Sequence, residues 1–346
     1  MDEFERAVAD FCGARHGVAF SNGTVALHAA CIVAGVGEGA NAITTPLTFA
    51  ATSNAVVYCG ATPIFADIYA ETLNIDPQAI AQKITKDTKA ILPVDFSGQP
   101  ADLEAILDLA SRNNIAVIED ACHALGSSFK TRPVGSISHM TVFSFHPVKH
   151  ITTGEGGMVT TNDDELMRKL RRIRHHGISY PNQQKKWRYE INELGYNYRL
   201  PDLNCALGVN QLKRLAAGID RRNTIAARYH EAFSKIPEVL LPSVRPDVRH
   251  AWHLYIVRLN LEKLTADRDT VIEALRAENI GATLHYPLIH LQPFYRQRFG
   301  LGPGVCPVAE SVADTMLTLP LFEGMSDRDV NDVIQAVSKV VRAFHA

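Results

Sequence analysis

The sequence has no surplus of charge of either sign. Its 346 residues include 35 Lys and Arg against 37 Asp and Glu, which gives a formal net charge of −2. Without a basic surplus, the chain has no bulk electrostatic attraction to nucleic acid or to an anionic membrane. We therefore expect neither nucleic acid nor a membrane among its partners.

Long hydrophobic runs are also missing. No apolar stretch approaches the roughly 20 residues that a membrane-spanning helix needs, and the first residues lack the pattern of a signal peptide. Apolar residues make up 46% of the chain and charged residues 21%, a balance typical of proteins with a sizeable hydrophobic core. We expect a cytoplasmic protein.

Paired cysteines and metal-binding spacings are absent. The six cysteines lie far apart and form no CxxC pair, which favours reduced side chains in the core. Cys306 lies in a Gly-rich loop that could present a nucleophile, but no base or positive group is near it in the sequence. The fourteen histidines show no H-E-x-x-H pattern, so the sequence predicts no metal site.

Short apolar runs alternate with helical patterns over the first part of the chain. The runs at 42–44, 62–66 and 90–94 each precede a helical segment, and a further run at 115–120 ends in Asp120. This alternation predicts an α/β fold with a mostly parallel sheet sandwiched by helices. Ligands of such sheets bind at the carboxyl ends of the strands, which is where Asp120 lies.

The rest of the chain has the pattern of a smaller α+β domain. The predicted elements are one long helix at 201–233, strands at 250–259 and 281–285, and helices at 268–278 and 327–344. The long helix is expected to link two domains. We predict a large domain of residues 1–225 and a small C-terminal domain of residues 226–346.

Two short motifs have the composition of a binding site. Ser21-Asn22-Gly23-Thr24 separates an apolar run from a helical pattern that starts at Val25. Such a turn can bind an anion at the helix N-terminus, although an ordinary helix cap explains it equally well. Lys149 follows Ser144 by five residues at the end of another apolar run, and a surface lysine after a buried strand is the alternative.

The combination of these motifs with Asp120 is more specific than any of them alone. Pyridoxal phosphate (PLP) needs donors for its phosphate, a carboxylate that keeps the pyridine nitrogen protonated, and a lysine that forms a Schiff base with its aldehyde. The turn at 21–24, Asp120 and the Ser144/Lys149 pair supply these three groups in chain order. The sequence therefore predicts PLP as the cofactor.

Five motifs together resemble the DegT family of sugar aminotransferases, which are fold-type I PLP-dependent transferases. The motifs are Ser21-Asn22-Gly23-Thr24, Glu119-Asp120-Ala121-Cys122-His123-Ala124, Ser144-Phe145-His146-Pro147-Val148-Lys149, Gly154-Glu155-Gly156-Gly157 and Gly195-Tyr196-Asn197-Tyr198-Arg199. They occur in the family's order, and the resemblance covers essentially the whole chain. It implies an aminotransferase.

The resemblance also implies roles for individual residues at the cofactor. Lys149 would bind PLP covalently and move the proton, and Asp120 would pair with the pyridine nitrogen. The remaining cofactor contacts would come from phosphate donors, a stacking aromatic ring and a partner of the 3-oxygen. These residues are Gly23, Thr24, Val25 and Ser144 for the phosphate, Phe49 for the stacking, and His123 for the oxygen.

Other implied residues concern the substrate and a second subunit. In the family, the counterpart of Asn197 reaches the cofactor phosphate of the neighbouring subunit, which implies a homodimer with shared active sites. Trp187, in a polar irregular segment at 177–198, and Arg199, which follows that segment, would line the substrate site or the interface. Tyr286 would contact the substrate from the small domain. For Phe49 and Tyr286, core packing is the alternative role.

The residues within several motifs resemble those of one branch of the family. His146-Pro147-Val148-Lys149-His150 and the run Tyr189 to Gly195 resemble the enzymes that aminate UDP-linked 4-keto-6-deoxy-N-acetylhexosamines in pseudaminic acid biosynthesis. The resemblance implies a UDP-linked keto-sugar as acceptor and L-glutamate as donor. The alternatives are another nucleotide-linked keto-sugar aminated at C3 or C4, a sugar dehydratase, which would lack the lysine, and a non-catalytic regulatory or binding protein on the same fold.

Overall fold

A computed structural model describes residues 1–181 and 187–346 of the chain. The α-helices are α1 (Asp2–Cys12), α2 (Gly23–Val33), α3 (Ala50–Tyr58), α4 (Pro77–Ala81), α5 (Leu103–Asn113), α6 (Asp164–Arg174), α7 (Asp202–Leu212), α8 (Leu215–Phe233), α9 (Arg268–Ala277), α10 (Pro293–Phe299), α11 (Pro307–Ala313) and α12 (Asp327–Ala343). Short 3-10 turns lie at Phe96–Gly98, Leu261–Lys263 and Ile289–Leu291.

The strands of the same residues fall into one large sheet and three small ones. They are β1 (His16–Phe20), β2 (Asn41–Thr44), β3 (Thr62–Phe65), β4 (Thr88–Leu92), β5 (Ala116–Asp120), β6 (Ser128–Phe129), β7 (Arg132–Pro133), β8 (Met140–Ser144), β9 (Gly157–Thr161), β10 (Ile178–Ser179), β11 (Glu190–Ile191), β12 (Val239–Leu240), β13 (Val248–Arg249), β14 (Tyr255–Leu259) and β15 (Met316–Leu319).

The large sheet has seven strands in the order β1-β9-β8-β5-β4-β2-β3. The neighbours β8, β5, β4, β2 and β3 pair in parallel, whereas β9 runs antiparallel to both β8 and β1. Its strands are almost entirely buried because helices cover both faces, as expected for a mostly parallel sheet. The predicted α/β architecture is confirmed, and the parallel strands bring their carboxyl ends to one edge.

A separate core lies in the C-terminal part of the chain. The three-stranded antiparallel sheet β12-β14-β15 packs against α9 and α12 around buried residues that include Val257, Leu317 and Val337. The same cluster begins at Ile225 in α8 and includes Phe233. Side chains of α8 therefore belong to the C-terminal core as well as to the neighbouring one, where Ile219 packs.

The structure corrects three of the predicted elements. The long helix at 201–233 is two helices, α7 and α8, since the N–H of Arg214 donates to the carbonyl oxygen of Gln211, three residues back, where the α-helical pattern ends. The first helix packs against α1 and the second against α12. The predicted strand at 250–259 is shortened to β14, since Trp252 has φ +48°, which a strand cannot contain. The predicted strand at 281–285 reduces to a single bridge between Thr283 and Thr318.

Part of the polar segment at 177–198 forms the two-stranded ribbon β10-β11. Residues 182–186 of that segment lie outside the described residues. In the described part of the chain, no helix combines the length and the apolar character needed to cross a bilayer.

A buried ion pair joins α1 to the large sheet. Glu5 is 3% exposed, and its carboxylate accepts hydrogen bonds from the backbone N–H of Ala19 at 2.9 Å and from the guanidinium of Arg174. Arg174 also donates to the carbonyl oxygen of Ala19 at 3.0 Å, whereas half-exposed Arg171 contacts Glu5 at 3.1 Å from the surface. Both buried charges are thus paired and hydrogen-bonded.

We expect Glu5→Ala to lower the free energy of unfolding by about 3–5 kcal/mol, because it leaves the guanidinium of Arg174 buried without its partner. Arg171→Ala is the matched control and should cost under about 1 kcal/mol, since its side chain is solvated. Urea denaturation of the three proteins measures both values. Equal losses for the two variants would contradict this account of the pair.

Candidate active site

A cavity of about 730 Å³ lies at the carboxyl edge of the large sheet. Its walls include the ends of β5 and β8, the start of α2 and the segment that precedes α3. The predicted site residues that line it are Gly23, Thr24, Val25, Phe49, Asp120, His123, Ser144, Lys149 and Tyr286. Residues from positions 23 to 286 of the chain therefore meet in one place, at the edge where ligands of such sheets bind.

Lys149 follows β8 in a turn closed by its N–H, which donates to the carbonyl oxygen of His146 at 2.9 Å. Burial of its amine lowers the pKa of Lys149 below the usual value, while the thiol of Cys122 and the carboxylate of Asp120 act in the opposite direction. A lowered pKa enlarges the unprotonated fraction at neutral pH. The amine is therefore better suited to attack a carbonyl than a surface lysine is.

Asp120 is the last residue of β5, and its side chain is 5% exposed. Its Oδ2 accepts a hydrogen bond from Thr52 Oγ1 at 2.7 Å, and its Oδ1 accepts one from the N–H of Cys122 at 3.2 Å. Thr52 is in turn 2.8 Å from Thr48 Oγ1. These donors fix the orientation of the carboxylate, so that it can face a cation in the cavity.

The start of α2 forms an anion cradle. Asn22 caps the helix by accepting from the N–H of Val25 at 3.0 Å, which leaves the N–H groups of Gly23 and Thr24 without a partner inside the helix. Val25 therefore contributes to the cavity wall but has no free N–H to offer. A Cβ at Gly23 would lie 3.0 Å from the Cβ of Ser144, so glycine allows this hydroxyl to approach the helix.

An aromatic wall closes another side of the cavity. The ring of Phe49 is 59% exposed and lies 5.8 Å from that of Tyr286, centroid to centroid. The hydroxyl of Tyr286 is 3.3 Å from Nε2 of His123. Burial and the charge of Lys149 hold the pKa of His123 well below its usual value, so the ring is neutral at neutral pH.

Three predicted site residues do not line this cavity in the single chain. Asn197 is exposed and bridges to His175, and Arg199 contacts the ring of His175 at 2.8 Å. Trp187 is 73% exposed. Their predicted roles require a second subunit or a substrate beyond this cavity.

Several cavity residues were not predicted from the sequence. Those with polar side chains or aromatic rings are Thr48, Tyr58, Cys122, His146, Glu155 and His285, and Thr52 lies just behind them. Thr48 and Thr52 had one available signal, since they stand four residues apart on either side of the start of α3. In the described residues, no cluster of three or more His, Cys, Asp or Glu could hold a metal ion.

These residues fit PLP. The cradle at α2 and Ser144 offers donors for a phosphate, Asp120 offers an oriented carboxylate, and Phe49 offers an exposed ring face. His123 Nδ1 is buried and has no hydrogen-bond partner among the described residues, which is the condition of a donor that awaits an oxygen from a ligand. PLP brings the phosphate, the pyridine nitrogen and the 3-oxygen that these groups would bind.

Comparisons with known proteins agree with the chemistry of this cavity. The model of the DegT/DnrJ/EryC1/StrS aminotransferase family matches residues 1–338. The spore coat polysaccharide biosynthesis protein SpsC of Bacillus subtilis is 43% identical, over 99% of this chain and 90% of SpsC.

Two solved structures are similar over almost the whole chain. Helicobacter pylori PseC, an aminotransferase involved in the biosynthesis of pseudoaminic acid, is 31% identical with a TM-score of 0.91, over 99% of this chain and 91% of PseC. The PLP form of the putative sugar aminotransferase Spr1654 from Streptococcus pneumoniae is 28% identical with a TM-score of 0.92, over 99% and 91% of the two chains.

The family match and these likenesses confirm the predicted fold class, a fold-type I PLP-dependent transferase. They also confirm the predicted cofactor, since the neighbours include PLP and pyridoxamine phosphate forms. The non-catalytic alternative is not supported. The chain belongs to the DegT/DnrJ/EryC1/StrS aminotransferase family and is a PLP-dependent sugar aminotransferase.

Proposed function

We propose that the enzyme transfers an amino group from L-glutamate to C4 of a UDP-linked 4-keto-6-deoxy-N-acetylhexosamine, as a step of pseudaminic acid biosynthesis. The observation that carries the aminotransferase chemistry is the meeting of Lys149, Asp120, Ser144 and the start of α2 in one cavity. The sequence of the motif around Lys149 and the likeness to PseC support the choice of sugar.

The residues that would contact the cofactor have defined tasks in this proposal. PLP supplies an aldehyde for the amino group and a ring that accepts electrons. The amine of Lys149 takes a proton from the donor carbon and returns one to the sugar carbon, which its lowered pKa favours. Asp120 keeps the pyridine nitrogen protonated, and Gly23, Thr24 and Ser144 bind the phosphate.

The remaining predicted residues support a homodimer with shared active sites. Asn197, Arg199 and Trp187 are exposed or half-buried away from their own cavity, so we propose that they serve the cavity of the neighbouring subunit. Exposed apolar side chains nearby are suited to an interface: Val148, Leu194, Leu203 and Leu207 are 62%, 77%, 84% and 42% exposed. Tyr286, opposite Phe49, would contact the sugar.

Two further parts of the proposal concern the organisation and location of the protein. We place the boundary between the large and small domains at residues 225 and 226, where the buried cluster of the C-terminal core begins. We also propose that the enzyme works in the cytoplasm, where its six free cysteines stay reduced.

A second candidate substrate is another nucleotide-linked keto-sugar, destined for a polysaccharide. The observation that favours it is the likeness to SpsC, which at 43% identity exceeds the 31% of PseC. The same cavity residues would serve either sugar, and C3 or C4 amination would differ only in which carbonyl lies beside Lys149.

We expect the purified enzyme with PLP to be yellow and to lose its Schiff-base absorbance when L-glutamate is added. Lys149→Ala should lack that absorbance and lower kcat by at least about 10²–10⁴-fold, because the proton-transfer base is gone. Lys339→Ala, an exposed lysine paired with Glu278, is the control and should behave as wild type. If the Lys149→Ala variant still showed the Schiff-base absorbance and lost it when L-glutamate is added, the proposed role of Lys149 would be contradicted.

The substrate assignment predicts a preference among keto-sugars. With L-glutamate as donor, the enzyme should aminate a UDP-linked 4-keto-6-deoxy-N-acetylhexosamine at C4, as read by mass spectrometry and NMR of the product. The matched comparisons are the 3-keto isomer and the dTDP-linked 4-keto sugar. A higher kcat/KM for either of these would favour the second candidate.

The shared active site predicts that two impaired variants complement each other. Lys149→Ala and Asn197→Ala subunits, unfolded and refolded together, should regain about a quarter of wild-type activity, because half of the dimers are mixed and each holds one complete site. Lys149→Ala mixed with the double variant Lys149→Ala/Asn197→Ala is the control without any complete site. No recovery in the first mixture would contradict shared sites.

A further inference from the structure

Two carboxyl groups lie in the interior beside the strand that carries Asp120. Asp95 follows β4 and Glu119 is the penultimate residue of β5, and both side chains are fully buried. Successive side chains of a strand point to opposite faces of the sheet. Glu119 is therefore behind the sheet relative to Asp120 and the cavity, and no step of the proposed reaction uses it.

The contacts of these two groups leave one oxygen of each without a hydrogen-bond donor. Asp95 Oδ1 accepts from the N–H of Ala101 at 3.0 Å, and Glu119 Oε2 accepts from Thr141 Oγ1 at 2.8 Å. Asp95 Oδ2 and Glu119 Oε1 are buried and have no hydrogen-bond partner among the described residues. Because Val94 and Asp120 form a parallel bridge, the adjacent residues Asp95 and Glu119 lie together on the opposite face of the sheet. A hydrogen bond between two carboxyl groups requires that one of them be protonated.

The surroundings favour a single shared proton. Burial, followed by the charge of Glu119, raises the pKa of Asp95 well above its usual value, and burial also raises the pKa of Glu119. Other groups act on the pair as well. Asp120 adds negative charge, whereas the hydroxyls of Thr141 and Ser138 and the charge of Arg132 favour the ionised form of Glu119. Two carboxyl groups that lie together in a buried site favour sharing one proton over ionising both.

The pair is connected to the reactive groups through the backbone. The N–H of Asp95 donates to the carbonyl oxygen of Asp120 at 3.0 Å. The N–H of Asp120 donates to the carbonyl oxygen of Pro93 at 2.8 Å. Thr141, the donor to Glu119, belongs to β8, which ends at Ser144. The two carboxyl groups thus join the segment after β4 to β5 and β8 at the edge where the cavity lies.

We propose that Asp95 and Glu119 share one proton and are positioning residues, which hold the ends of β4, β5 and β8 so that Asp120 and Ser144 face the cofactor. The inference rests on the proposed roles of Asp120 and Ser144. The pair touches neither the cofactor nor the substrate. It acts only through the strand ends.

Amide substitutions distinguish a shared proton from two independent carboxylates. Asp95→Asn or Glu119→Gln alone keeps the contact, because the new NH₂ group donates to the remaining carboxylate and the amide oxygen keeps its present donor. Asp95→Asn/Glu119→Gln brings two NH₂ groups face to face. We expect PLP affinity and kcat within about twofold of wild type for each single variant, and a loss of about tenfold or more for the double variant.

The control pair is Glu104→Gln/Asp108→Asn on the exposed face of α5, where both single and double variants should match wild type. If the loss in the double variant is only the combined loss of the two single variants at Asp95 and Glu119, the proposal is overturned. So would a tenfold loss in either single variant, since it would show that the charge removed had been present.

Infrared spectroscopy tests the proton without relying on activity, and it decides the matter if the double variant fails to fold. The difference spectrum between wild type and Asp95→Asn should contain the C=O band of a buried protonated carboxyl group, with and without added PLP. Absence of that band would overturn the proposal that Asp95 and Glu119 share a proton. A protein that shows the band but gives no response to L-glutamate would instead contradict the proposed function.

Discussion

The active site depends on the parallel pairing of β5 with β8. Glu119 and Asp120 lie opposite Thr141 and Val142 in this pairing, so both strands end at the same edge of the sheet. That edge sets Asp120 beside Ser144, and the turn after Ser144 returns Lys149 into the same cavity. The start of α2 joins them because β9 pairs with both β8 and β1.

A second requirement is that Asp120 and Lys149 are each held by their own contacts and not by each other. Asp120 is held by Thr52 and the N–H of Cys122, and Lys149 is held by the backbone of its own turn. Burial disfavours the charged form of the amine, and the two donors orient the carboxylate. The two groups therefore meet the needs of PLP without first forming an ion pair with each other.

The sequence predicted the groups whose position follows from local order along the chain. Asp120 and Ser144 end strands and Gly23 starts a helix, so strand-end and helix-start patterns were enough to place them. Contacts between distant segments carried no such signal, as in the hydrogen bond from Thr52 to Asp120 across 68 residues. The proposed proton sharing between Asp95 and Glu119 could not be predicted for the same reason, since each residue has the sequence context of an ordinary acidic residue.

Helix and strand boundaries failed where packing or backbone geometry overrode periodicity. The apolar pattern at 201–233 is continuous, but a turn closed by the N–H of Arg214 and the carbonyl oxygen of Gln211 separates α7 from α8.

The central claim is that Lys149 holds PLP in this cavity, and borohydride reduction of the holoenzyme followed by peptide mass spectrometry tests it most directly. The account predicts the reduced cofactor on the peptide that contains Lys149, whereas attachment to another lysine, or to none, would contradict it.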